Sequence, residues 1–410
     1  MIIISNGHHK FITGPAAVEA AKKGLLAGFI TAGYPTPKIR RLLVALKLTR
    51  FASVNRLLKR REELPDSIVY SLWFSEIIYL FVRYIARHLP RLEYIVDYGL
   101  QVYAWQAKRI VRKLPARLYH YRGGYGHASV EIAKQRGMIT LCDFSIAHPL
   151  ALDYLIANGG RLPSPGQSGP ANRMWLNILE DAMQAEFLLL NSDFVKKTFT
   201  HFGWDASRLF VLYTGVDDQF LSLVPARSFP SLTDKPIKIL FAGDMGARKG
   251  GRILLESLCR IGDLAWEFEA IGAIDKDLKQ DFRKLFSEER VTVTGHLPWV
   301  DLATHMSRAD LFVFPSLAEG SARVIFMAMA CGCYVVTTPN SGSIVQDGVH
   351  GNLVDPGDVD ALERALRDCF RNREKIPGVG QKNANLIKTQ YTQRHYGNEL
   401  LSIYSKLLAH

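Results

Sequence analysis

The sequence predicts an α/β protein made of two doubly wound parallel-sheet domains, and three observations carry that reading. Short apolar runs of strand length alternate with stretches of helical period, as at Arg117 to Tyr121, Ala128 to Arg136 and Met138 to Asp143. A strand, a helix and a second strand in that order need a crossover and therefore pair in parallel. The rhythm lapses over residues 223–236, where Pro225, Pro230 and Pro236 break a stretch of little periodicity, and resumes at Ile237, so this segment reads as a linker. The 410 residues are enough for two domains of ordinary size, each with its own core.

Composition removes several classes. Hydrophobic residues at 48% and charged residues at 22% exclude a disordered chain. The five cysteines are scattered apart from Cys331 and Cys333, which argues against a disulfide framework and for a reducing, cytoplasmic setting. Cys331-Gly332-Cys333 has no His or Cys pair at ligand spacing beside it and reads as core; no metal is expected. The start, Met1 to Lys10, lacks the basic flank and long apolar centre of a secretory signal. The most apolar window, Ser67 to Ala86, has bilayer length. Glu76 and Arg83 within it would each cost about 2.5–3.5 kcal/mol near a membrane centre, so a buried or surface-lying helix is expected.

The net charge of +12 is confined to the first third. Residues 1–120 hold 20 Lys and Arg against 7 Asp and Glu, whereas the rest hold 31 against 32. No nucleic-acid motif accompanies these cations, so nucleic acid is not an expected partner. Attraction to an anionic membrane surface or an acidic acceptor fits better, with a solvated basic face as the plainer alternative.

In chain order, Met1 to Ser5 reads as a first strand and Asn6 to Gly14 as a loop bearing His8, His9 and Lys10. Pro15 to Lys23 reads as a helix, with Gly14-Pro15 at its start, and Gly24 to Thr31 as a turn and second strand. Pro35 to Glu63 is basic and helical in pattern, with Arg40, Arg41, Lys47, Arg50, Arg56 and Lys59 among leucines, and suits the headgroup layer of a bilayer or packing on its own sheet. An aromatic-rich helix is expected from Pro65 to His88, and the whole basic helical insertion runs over about 35–112. Beyond it, the loops Arg122 to Gly126 and Phe144 to Pro149 reach the carboxyl ends of parallel strands, where ligands bind in such folds. His148 is the best placed ionisable side chain there, with an ordinary structural histidine as the alternative. Phe187 to Ser192 reads as a strand entering a polar turn, Asp193 to His201 as a helix and Leu209 to Tyr213 as a strand.

In the second half, Ile237 to Ala242 is a strand, and Gly243 to Gly250 leads into a helix over Gly251 to Cys259. Leu311 to Phe314 suits a buried parallel strand, closed by Pro315-Ser316. Gly320 and Ser321 open a helix from Arg323 to Cys331, and Cys333 to Thr338 is the next strand. A strand, a Gly/Ser turn and a helix set free backbone N–H groups at a positive helix end, which binds phosphate or another anion. Glu319, on the loop before that helix, is placed to accept hydrogen bonds from ligand hydroxyls. Asp358 to Phe370 and the amphipathic Gln393 to His410 read as further helices.

Pro315-Ser316, Glu319-Gly320, Ala328-Met329-Ala330 and Gly332 together resemble the nucleotide-sugar site of retaining GT-B glycosyltransferases of the large family-4 type. Thr214-Gly215-Val216-Asp217 with Phe220 resembles the segment that ends the first domain in that family, with Thr214 in place of Asn. Lys249-Gly250 is in register with the family's Arg/Lys loop, but Asp244 stands at the usual arginine position, and Arg248 is the cation that can replace it. The family's second glutamate is Met327 here.

The resemblance implies two Rossmann-like domains facing a cleft, residues 1–222 on the acceptor side and residues 237–392 holding the donor, with the tail 393–410 crossing back. It implies Arg248 and Lys249 on the diphosphate leaving group and Glu319 on the sugar. His148 reaches in from the opposite domain. Gly14, Gly243, Gly320, Ser321, Ala322, Arg323, Val324 and Met327 line the donor. His8, His9 and Lys10 occupy the loop that in the family is glycine-rich and lies against the donor phosphates, where they supply positive charge unless the loop is an ordinary polar one. No cofactor beyond the nucleotide-sugar co-substrate is implied. The acceptor is a glycan or a lipid-linked glycan, met at the inner face of the cytoplasmic membrane. Met327 cannot bond a ribose hydroxyl, a loss worth about 1.5–3 kcal/mol. Either another residue holds the ribose, or the donor differs, or the chain is a catalytically degenerate GT-B binding partner.

Overall fold

The computed structural model describes residues 1–409 apart from 165, 170, 172, 231, 233 and 234. Its first sheet contains β1 (Ile2–Ser5), β2 (Leu26–Thr31), β3 (Val69–Ser71), β4 (Leu118–Arg122), β5 (Ile139–Phe144), β6 (Phe187–Leu190) and β7 (Leu209–Val211). They lie in the order β3-β2-β1-β4-β5-β6-β7. The second sheet contains β8 (Ile237–Ala242), β9 (Trp266–Ile271), β10 (Val291–Gly295), β11 (Leu311–Phe314), β12 (Tyr334–Thr337) and β13 (Gly351–Leu353), in the order β10-β9-β8-β11-β12-β13. All pairings between these strands are parallel. Strands covered by helices on both faces should be apolar throughout. Every residue of β11 and of β1 is indeed buried.

In each sheet the strand order reverses once, between β1 and β4 in the first and between β8 and β11 in the second. Loops leaving neighbouring strands diverge at such a point and open a crevice beyond the carboxyl ends. The fold therefore supplies two crevices.

The basic segment departs from expectation. Its helix stops at Ala45, and Lys47 takes a left-handed backbone (φ 54°) before a short 3-10 turn and the Ala52–Leu58 helix. Thr36 caps Pro37–Ala45, accepting from the Ile39 amide at 3.5 Å, yet that helix buries no residue. The aromatic-rich stretch expected as one helix from Pro65 is divided. Val69–Ser71 adds an edge strand beside β2, and the helix begins only at Trp73 and runs to His88. Two β-favouring residues, Val69 and Tyr70, joined to an existing sheet edge outweigh the helical pattern there.

The last helix, Gln393–Ala409, packs on Thr13–Lys22. Tyr396, Leu400, Ile403, Tyr404 and Leu407 share a core with Ile2, Ile4 and Ala16. The Tyr404 hydroxyl meets His120 Nδ1 at 2.6 Å in that core. His410, expected in this helix, and Ser231, Thr233 and Asp234 of the expected linker lie outside the described residues.

Candidate functional site

The second crevice is built by three loops. Gly243–Gly250 leaves β8, Pro315–Ala322 leaves β11, and Thr338–Gly342 leaves β12. The Arg248 carbonyl fastens the first two, accepting from the Leu317 amide at 2.9 Å and the Ser316 hydroxyl at 3.1 Å. Asn340 fastens the third, donating to the Leu317 carbonyl at 2.8 Å, while the Glu319 amide donates to the Asn340 carbonyl at 2.9 Å.

Three charged groups converge in this frame. Arg248 Nη1 lies 2.6 Å from Glu319 Oε1 and donates to the Ala318 carbonyl at 3.2 Å. Lys249 Nζ sits 5.6 Å from the centre of the Phe314 ring and close above Gly243, where a Cβ would stand 2.3 Å from the ammonium. Gly243, with φ 129°, holds a backbone that side chains rarely adopt, and a Cβ there would displace the ammonium. Burial pushes the Lys249 pKa down, Glu319 pulls it back up and Arg248 lowers it again.

The site also holds buried polar atoms with no hydrogen-bond partner among the described residues. Glu319 Oε1 is buried without a hydrogen bond, since Arg248 approaches it off the bonding direction, and Ser321 Oγ is likewise buried and unbonded. Such atoms are rare in native structures and call for an explanation. The adjoining helix, Arg323–Ala330, begins at Ala322, and no side chain caps its first turn. Arg323 is exposed, Ala322 is buried and Val324 is half-buried. Met327 is 9% exposed and packs into the second-domain core, so its thioether lends no hydrogen bond. Asp244 turns aside, accepting from the Ala273 amide at 3.3 Å and lying 3.3 Å from His296 Nε2.

The first domain meets this crevice at Gly320. A Cβ there would lie 1.9 Å from the Ser145 carbonyl oxygen, so the two backbones approach as closely as glycine allows. Ser192 Oγ donates to the Gly320 carbonyl, and Asn340 Nδ2 reaches the Gly160 carbonyl at 2.7 Å. Asn191 Nδ2 donates to the Ser145 carbonyl at 3.1 Å, while its Oδ1 is buried without a partner. Asn191 and Ser192 were not singled out from the sequence. The available signal was their place in a polar turn at the carboxyl end of β6.

His148 is buried in the same region. Its Nδ1 accepts from the Leu150 amide at 3.3 Å, capping Pro149–Ala157, and its ring stacks on Phe202 at 4.3 Å. Burial, aided by His201, pushes its pKa down to about 4, so the ring is neutral at pH 7. The preceding residue, Ala147, packs in one cluster with Ala318, beside Glu319.

The β1 loop does not supply the three cations that the sequence suggested. His8 is fully buried, stacked on Tyr79 at 4.1 Å and bonded to Ser75 Oγ at 2.8 Å, with burial pushing its pKa down to about 3. Burial likewise pushes His9 down to about 4. Desolvation therefore keeps both rings neutral. Lys10 alone remains exposed, 3.8 Å from Glu62. Gly14, in the first turn of Thr13–Lys22, lies against the Glu62 carboxylate.

Next to Ser145, a cavity of about 220 Å³ opens at the ends of β4 and β5. Phe11, Tyr79, Leu100, Tyr125 and Trp175 give it an apolar wall, and the Arg122–Asp143 ion pair, 2.5 Å long, gives it a polar end.

Two facing doubly wound domains with a crevice at each strand reversal define the GT-B class of fold. Residues 236–372 match the family model described as glycosyl transferases group 1. The chain is 24% identical over 237 residues to the amylovoran biosynthesis glycosyltransferase AmsK of Erwinia amylovora, covering 55% of this chain and 57% of that one. It spans about half the length of the curated relatives it matches. Among solved structures, sucrose-phosphate synthase of Thermosynechococcus elongatus superposes with a TM-score of 0.63 at 17% identity, each chain covered in full. Anabaena HepE in complex with UDP and glucose superposes with a TM-score of 0.60 at 16% identity, over 99% of this chain and 100% of that one.

Proposed function

We propose that this chain is a retaining, metal-independent glycosyltransferase that moves a sugar from a nucleotide-sugar donor to a glycan or lipid-linked acceptor in cell-surface polysaccharide or glycoconjugate synthesis. The observation that carries the reading is the cluster of Arg248, Lys249 and Glu319 at the β8/β11 reversal, with Ser321 Oγ on the same loop as Glu319 buried without a hydrogen bond. A ligand with both a diphosphate and sugar hydroxyls satisfies each of these groups at once.

In this reading Lys249 and Arg248 stabilise negative charge as the bond from sugar to diphosphate breaks, helped by the amides at the start of Arg323–Ala330. Glu319 accepts from sugar hydroxyls and orients the ring. A half-buried lysine interacts more strongly with a phosphate than an exposed one does, because less water screens it. His148, neutral at pH 7, serves as a positioning residue that holds the Phe144–Pro149 loop against the donor site. The acceptor enters from the first domain through the cavity beside Ser145. Cytoplasmic placement with peripheral contact at the membrane belongs to the same proposal; among the described residues no helix is long and apolar enough to cross a membrane.

A second reading, a GT-B protein that binds without turnover, is favoured by Met327 in the core and by Asp244 turned toward His296. Incubation with UDP-, GDP- and ADP-sugars, read by donor-dependent melting shifts and by mass analysis of products, separates the two. Release or transfer of sugar from any donor supports the first. A melting shift with no turnover, in the presence of membrane extract as acceptor, supports the second.

A further inference from the structure

The Trp73–His88 helix is mounted with its polar side inward. Its buried residues are Ser75, Glu76, Tyr79 and Val82. Glu76, 4% exposed, pairs with Arg60 Nη1 at 2.7 Å and accepts from the Gly33 amide at 3.0 Å, and Ser75 holds His8. These bonds fix the rotation of the helix. The opposite face then presents Phe74 (56% exposed), Ile77 (62%), Phe81 (60%) and Tyr84 (64%), a continuous apolar stripe at helical spacing. A helix of a soluble protein is normally mounted the other way round. Contiguous exposed apolar surface of this kind marks an interaction site.

The surroundings identify the partner. Leu42, Val44, Leu46, Phe51, Tyr98 and Trp105 are also exposed on the same insertion. Arg40, Arg41, Arg50, Arg83, Arg87 and Arg91 lie among them, all on the surface. The Pro37–Ala45 helix buries nothing within the chain. Apolar groups ringed by arginine, tyrosine and tryptophan match the layered chemistry of a bilayer surface. The charge excess of residues 1–120 supplies the complementarity to anionic headgroups.

We propose that this face docks on an anionic lipid bilayer, the Phe74, Ile77, Phe81 and Tyr84 side chains among the acyl chains and the arginines on lipid phosphates. Tyr79, on the inner side of the same helix, lines the cavity next to Ser145. Resting on the glycosyltransferase reading, this deepens it: the acceptor is lipid-linked and is drawn from the bilayer into that cavity.

Flotation with phosphatidylcholine vesicles, with and without phosphatidylglycerol, tests the docking. The full chain is expected to float with the anionic vesicles, to float less with phosphatidylcholine alone and to be released by salt. A Phe74→Ser/Phe81→Ser variant should lose at least about tenfold in vesicle partitioning while keeping the wild-type melting temperature and donor-induced melting shift. Should the wild type stay in solution with anionic vesicles, or the variant float as well as the wild type, the docking is wrong. A wild-type dimer that the double substitution turns into a monomer in analytical ultracentrifugation, with no vesicle binding, assigns the stripe to a second copy and also overturns it. Absence of any donor shift in an otherwise vesicle-bound protein overturns the glycosyltransferase reading and leaves the docking standing.

Discussion

Arg248 and Glu319 meet across the β8/β11 reversal, with Nη1 2.6 Å from Oε1, so the cation on one loop restrains the carboxylate on the next. Lys249 feels the charges of both groups, with burial working against its own. The two cations therefore differ in what their removal does. Lys249→Ala takes away the desolvated charge and is expected to lower kcat/KM for donor turnover by about 100-fold or more. Arg248→Ala also frees Glu319, so a smaller loss in kcat with a rise in donor KM is expected. Steady-state kinetics on the two variants checks this, and wild-type rates for Lys249→Ala would remove the leaving-group assignment.

Met327→Glu restores the family's second carboxylate inside a largely apolar wall. Without ligand the variant is expected to melt at a lower temperature, because a carboxylate in a 9%-exposed position is poorly solvated. With nucleotide bound, a ribose bond worth about 1.5–3 kcal/mol should tighten the donor roughly tenfold or more. Calorimetry with the free nucleotide reads both effects.

Gly320→Ala tests the closeness of the two domains. The added methyl meets the Ser145 carbonyl oxygen at 1.9 Å, and neither backbone can yield without opening the cleft. Loss of activity with an unchanged far-ultraviolet spectrum is the expected result, together with an increase in the radius of gyration by small-angle scattering.

Buried titratable groups set opposing pH dependences. His8 is lowered from 6.5 to about 3, and His148 and His120 to about 4, in each case chiefly by burial. A histidine whose folded pKa is depressed leaves the unfolded chain holding more protons, so stability falls as pH drops from 6.5 toward those values. Glu62 is raised from 4.5 to about 7 by burial, with Lys10 opposing. Its penalty is absent below pH 4.5 and complete above about 7. Glu62→Gln should therefore stabilise the protein by about 1–3 kcal/mol above pH 7 and by little below pH 5. Melting curves across this range check both signs.

Arg60→Ala leaves the Glu76 charge buried and unpaired and is expected to cost about 3–5 kcal/mol, whereas Arg60→Met with Glu76→Gln should be milder. Denaturant titration separates the two variants.

Much of this molecule is legible from residue pattern. The strands around Leu311–Phe314 and Ile237–Ala242 announce themselves as apolar runs closed by proline or glycine, and the doubly wound class follows from their alternation with helices. The loops that bring Lys249 and Glu319 together each follow a strand readable in the sequence, so their clustering at the β8/β11 reversal was within reach of the residue pattern. Residues whose neighbours come from the other domain were not. Ser192 and Asn340 reach across to Gly320 and Gly160 of the opposite domain, which no local pattern shows. The loop histidines misled for a related reason, since desolvation depends on what packs over them, and Tyr79 and Ser75 arrive from a helix some seventy residues away. Val69–Ser71 shows the same limit for secondary structure, because an edge strand exists by virtue of its neighbour.

The return of Gln393–Ala409 to the first domain has a bearing on how the protein is made. Tyr404 and Leu400 complete the core around Ile2 and Ile4, so the half of the molecule translated earliest stays unsealed until residue 409 has emerged from the ribosome. Among the described residues no residue of this helix enters the second-domain core, so that half is free to settle beforehand. Assembly thus runs against the order of translation, and a released chain shortened to end at Tyr391 is expected to give a protease-resistant fragment from the second domain alongside a digestible first one.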